Sequence, residues 1–66
     1  MNTFEGNKRM LEDAGIEFEA YEAYDTARKV NCLVIAYWDS HARIEMVFDI
    51  DGKYLYTDEE NDWDYI

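Results

Sequence analysis

Residues 30–57, VNCLVIAYWDSHARIEMVFDIDGKYLYT, decide the fold, because they divide into three strand-like runs separated by two short turn signals. Val30 to Trp38 is almost continuously apolar, as a central strand covered on both faces would be. Asp39-Ser40-His41-Ala42 breaks the run. From Arg43 to Ile50 the pattern alternates, with Ile44, Met46 and Phe48 on one side and Glu45 and Asp49 on the other. Asp51-Gly52 then predicts a two-residue type I′ hairpin turn, with Lys53 to Thr57 as the return strand.

The hairpin registers assign faces. A four-residue turn at 39–42 sets Trp38 opposite Arg43 and Ile35 opposite Met46. A two-residue turn at 51–52 sets Ile50 opposite Lys53, Phe48 opposite Leu55 and Val47 opposite Tyr56. One face then carries Leu33, Ile35, Tyr37, Ile44, Met46, Phe48 and Leu55. The other carries Cys32, Val34, Ala36, Trp38, Val47, Tyr54 and Tyr56, and is too apolar to stay wet.

Upstream, Asn2 and Glu5 form a capping-box pattern that opens a helix near Thr3, and Gly15 closes it after Ala14. Phe4, Met10, Leu11 and Ala14 share one side of that helix. Glu5 with Arg9 and Lys8 with Glu12 are spaced as i,i+4 ion pairs. The period changes to two at Ile16, which predicts a first strand over 16–24, joined to the meander by the polar segment Asp25 to Lys29. The sequence therefore predicts an α+β domain, one helix on a four-stranded antiparallel meander in chain order. Asp58 onward is expected to be an acidic tail whose Trp63 and Tyr65 add a short strand or fold onto the aromatic face.

A 66-residue chain bounds a single domain that buries about 60% of its unfolded surface, so stability is marginal. One cysteine excludes an internal disulfide, and no Cys/His cluster offers a zinc site. The N-terminal residues lack a signal-peptide pattern and no apolar run is long enough to span a membrane, so a cytoplasmic location is expected. Sixteen acids against six bases give a formal charge of −10, which disfavours nucleic acid and anionic membrane and favours basic protein surfaces.

Chemistry finds little footing. Asp39, Ser40 and His41 are adjacent in a turn and cannot align as nucleophile, base and orienting carboxylate. Cys32 sits in an apolar strand with no neighbouring base. Asp49 to Gly52 begins like an EF-hand loop, yet Lys53 occupies a ligand position, so the hairpin reading prevails. No enzyme activity, cofactor or metal is expected. Acids at Glu17, Glu19, Glu22, Glu59, Glu60 and Asp62, with the rings of Trp38, Tyr54, Tyr56 and Trp63, are the expected partner-binding residues, since Tyr and Trp anchor interfaces and acids steer basic partners.

No motif assigns a family. In size, acidity and lack of catalytic signature, the chain resembles the small inhibitors encoded by phages and mobile elements, among them anti-restriction, anti-CRISPR and uracil-DNA glycosylase inhibitor proteins. That resemblance implies a partial DNA mimic that occupies the basic site of a nucleic-acid-binding enzyme. The competing expectation is a homodimeric accessory module, mated through Val34, Trp38, Tyr54 and Tyr56, whose acids only solubilise it.

Overall fold

The computed structural model describes residues 2–61. Helix α1 spans Phe4–Asp13, and strands β1 (Phe18–Asp25), β2 (Val30–Asp39), β3 (Ala42–Asp49) and β4 (Tyr54–Asn61) form one antiparallel sheet in the order β1-β2-β3-β4. This is the α+β meander expected from the sequence.

The helix ends are built from side chains named by the sequence, though one role moves. Thr3 is the N-cap, its Oγ1 accepting from the Gly6 N–H at 3.1 Å. Asn2, predicted to cap, instead accepts from the buried Asn7 side-chain amide at 2.9 Å, and Asn7 also donates to the Thr3 carbonyl. At the other end Gly15 is left-handed at φ 73°. Ile16 N–H donates to Leu11 O and Gly15 N–H to Glu12 O, a Schellman closure. Lys8 turns back to Glu5 at 3.8 Å and lies 5.2 Å over the Phe4 ring, in place of the expected Glu12 pairing.

Leu11 brings the helix onto Ile35, Met46 and Phe48, the centre of the main core. Phe4, Phe18, Leu33, Tyr37, Ile44 and Tyr54 close around it. Phe48 is fully buried and meets Phe4 and Tyr54 edge to face, with centroids 5.6 and 5.9 Å away. Pairing of Phe18 with Tyr37 puts β1's first residue on the helix-covered face, fixing a register the sequence left open.

The β2–β3 hairpin keeps its predicted register, Trp38 opposite Arg43 and Ile35 opposite Met46. Asp39 pairs with Ala42, so Ser40 and His41 alone make the loop, and Ser40 takes the positive φ, 56°, that the first position of a type II′ turn needs.

The β3–β4 hairpin departs from prediction. Asp49 O accepts from Gly52 N–H at 2.9 Å, and Asp49 N–H donates to Lys53 O at 2.8 Å, so three residues, Ile50 to Gly52, make the loop. Only Gly52, at φ 91°, is left-handed; Asp51 is not. The Asp49 carboxylate stabilises this wider loop by accepting from the Asp51 and Lys53 N–H groups at 3.0 and 2.9 Å. The extra loop residue shifts the register, so Phe48 faces Tyr54; a bulge at Leu55 shifts it back, so Val47 faces Tyr56 as predicted. Tyr54 and Leu55 consequently exchange faces relative to the sequence reading. Tyr54 joins the Phe48 core, and Leu55 packs against Cys32, Val34 and Val47 on the other side.

β4 also runs further than expected. Asp58, Glu59 and Glu60 are strand residues paired with Glu45, Ile44 and Arg43, and of the expected tail only residues beyond 61 lie outside what the structure describes. The predicted strand or fold-back of Trp63 and Tyr65 falls there.

Candidate protein-binding face

The register sorts the candidate residues by face. Opposite the helix, β1 contributes Glu19, Tyr21, Ala23 and Asp25; β2 contributes Val30, Cys32, Val34, Ala36 and Trp38; β3 contributes Arg43, Glu45, Val47 and Asp49; β4 contributes Leu55, Tyr56, Asp58 and Glu60. Of the predicted binding residues, Glu19, Trp38, Tyr56 and Glu60 therefore share this open face. Glu22 pairs with Leu33 and Glu59 with Ile44, which places both on the helix side, and Tyr54 is half-buried there in the core. Glu17 precedes β1 and lines its end, while Asp62 and Trp63 lie outside the described residues.

The open face has two halves. Its half nearer the β1–β2 loop has an apolar centre, where Cys32, Val34 and Val47 are buried with Ala23 and Leu55 packed against them, and Asp25 and Asp49 lie at its end. Val34, expected to need a partner copy to cover it, is only 5% exposed within the single chain; of the four residues proposed to mate a dimer, Trp38 at 54% and Tyr56 at 40% remain open.

The other half is charged. Glu19, Ala36, Glu45 and Asp58 lie in one cross-strand row, with Trp38, Arg43 and Glu60 in the next. Because Ala36 carries only a methyl, side chains from β1 and β3 meet over it. Tyr21 donates to the Glu45 carboxylate at 3.2 Å, Arg43 pairs with Glu45 at 3.0 Å, and Arg43 reaches Glu19 at 3.9 Å. The Tyr21 phenol and then Glu45 hold the Arg43 guanidinium above its usual range, against the opposing effect of its partial burial.

Arg43 is the one base among these open-face strand positions, and four acids surround it. Glu45 and Asp58 face each other across β3 and β4, a like-charge pairing that costs stability. With strands about 4.8 Å apart, Glu19, Glu45 and Asp58 span about 14 Å, over which one strand of duplex DNA presents about four phosphates. The row is thus close to, though sparser than, a phosphate backbone.

Tyr56 borders both halves. Partial burial, with Asp25 and Asp58 acting next, raises its phenol above the usual range. One feature of this face, the meeting of Glu45 with Asp58, was beyond sequence reasoning. Glu45 and Asp58 were assigned to a strand and a tail, and only the full length of β4 brings them together.

Among the described residues, no group of three His, Cys, Asp or Glu side chains converges as a metal site requires, and no helix is long and apolar enough to cross a membrane. The sequence matches no protein-family profile, and no curated protein or solved structure is significantly similar to it.

Proposed function

We propose that this chain is a non-enzymatic, protein-binding inhibitor of the kind carried by phages and mobile elements, which occupies the basic site of a nucleic-acid-binding enzyme by partial DNA mimicry. The carrying observation is the charged half of the open face: four carboxylates at Glu19, Glu45, Asp58 and Glu60 around a single guanidinium, bordered by the exposed Trp38 ring. Like charges opposite each other, where a neutral pair would be more stable, fit a surface used for recognition. Acids steer a basic partner from a distance, and the aromatic rings supply the short-range contact.

The faces give the test its control. Glu19→Lys with Glu60→Lys reverses two charges on the open face; Glu22→Lys with Glu59→Lys reverses two on the helix side. Both variants change net charge equally. Against a panel containing a restriction endonuclease, an RNA-guided nuclease and a uracil-DNA glycosylase, the parent should inhibit one class at low salt and lose potency as salt rises. The open-face variant should associate at least about tenfold more slowly, while the helix-side variant stays near the parent. Equal inhibition by both variants, at low salt and with the fold intact, overturns the mimicry reading.

A further inference from the structure

A cleft of about 310 Å³ opens where β1 begins and β2 ends, lined by Glu17, Phe18, Glu19, Ala36, Tyr37, Trp38 and Arg43. It lies at the small end of the range for ligand pockets, with room for one side-chain head group rather than a cofactor. Two kinds of group meet in it. Trp38 is 54% exposed, the less common state for a residue of its size, and its indole forms part of the wall. Glu17 and Glu19 supply carboxylates.

The charges in the cleft are not balanced internally. Arg43 is engaged chiefly by Glu45, at 3.0 Å, and reaches Glu19 only at 3.9 Å. The Glu19 side chain is 77% exposed and retains acceptor capacity. The lining sets Glu17 and Glu19 against Arg43, whose closer partner Glu45 lies outside the cleft, so carboxylate is in excess beside an open indole. A cation is the ligand class that satisfies both features, because an ion pair and a ring face attract it together. Arg43 shows that a guanidinium fits the carboxylate geometry of this face.

Resting on the acidic-face reading above, we propose that the cleft is the anchor of that face and seats one arginine side chain of the basic partner between Trp38 and the Glu17 and Glu19 carboxylates. Arginine is favoured over lysine because its flat, weakly hydrated guanidinium can stack on the indole while its N–H fork engages the carboxylates. The acids elsewhere on the face then orient the partner, and the cleft fixes its register.

Nuclear magnetic resonance of the full chain decides this without knowledge of the partner. The probes are N-acetyl-arginine amide and its neutral isostere N-acetyl-citrulline amide. The arginine probe should shift the Trp38 indole N–H and the Glu19 and Ala36 amides in a saturable, salt-sensitive way, with citrulline at least tenfold weaker. Trp38→Leu and, separately, Glu17→Gln with Glu19→Gln should each weaken arginine binding about tenfold; Trp38→Phe, which keeps a ring, should lose less. Retained amide dispersion reports that each variant is folded. Equal shifts from both probes, or arginine shifts scattered over Asp58, Glu60 and the helix without saturation, would overturn the cleft assignment. The two readings fail separately: inhibition that survives both cleft variants removes the anchor and leaves the inhibitor, whereas saturable arginine binding with no inhibition across the enzyme panel removes the inhibitor and leaves a cation-binding cleft.

Discussion

Replacing Gly52 by alanine isolates the geometry that sets the β4 register. At φ 91° a residue with a β-carbon is strained by about 1–2 kcal/mol. Space is not the obstacle, since an added methyl would meet the Phe4 Cβ at 3.6 Å, an ordinary contact. A 66-residue domain has roughly 3–10 kcal/mol to lose, so the substitution removes a substantial fraction, and the midpoint of thermal unfolding should fall by about 4–16 °C. Gly52→Asn should cost less, because asparagine tolerates the left-handed region. Asp51→Ala should stay within about 0.5 kcal/mol, because Asp51 has ordinary backbone geometry in the three-residue loop. Asp49→Ala should cost about 1 kcal/mol, since its carboxylate accepts from two backbone N–H groups. Urea unfolding followed by circular dichroism measures all four. If Asp51→Ala costs as much as Gly52→Ala, both residues are left-handed and the loop is the two-residue turn; the bulge and the inward placement of Tyr54 would then be wrong.

Two further outcomes follow from the charge on the open face. Asp58→Asn should stabilise the fold by a few tenths of a kcal/mol at low salt by relieving Glu45, and added salt should erase the gain; a destabilised variant would show that the Glu45–Asp58 juxtaposition is favourable. Tyr56 has its folded-state value raised above that of the unfolded chain, so its contribution is complete below about pH 10 and is lost as pH rises through the raised value. Tyr56→Phe should therefore flatten the alkaline limb of the stability profile in urea titrations between about pH 9 and 12, and an unchanged limb would count against that assignment.

The helix, the four strands and the β2–β3 register were legible because long period-two runs such as Ile44, Met46 and Phe48 admit one pleat only. The register of β1 was not, and neither were two other matters. Asp51-Gly52 fits a type I′ turn and a three-residue loop equally in sequence, and the choice goes with the Asp49 carboxylate gathering two N–H groups, an Asx-type contact that the hairpin reading passed over. Asp58 to Glu60 lack strand propensity, and they pair because β3 offers them a full-length edge. That tertiary effect decided the candidate site: it brought Asp58 and Glu60 beside Glu45 and Arg43, and set Glu59 on the opposite side of the sheet.

The order of the strands also governs how the chain reaches this structure. Every strand pairs with its neighbour in sequence, so most of the sheet can form by successive short closures, the situation in which a largely β domain folds quickly. One fastening is different. Phe4 N–H donates to Gly52 O at 2.8 Å and Thr3 bridges Lys53, contacts that span most of the chain. During synthesis the N-terminal turn of α1 is made before the sheet, yet its clasp does not exist until the β3–β4 loop has followed. This turn, made ahead of every strand, is among the last parts to be secured.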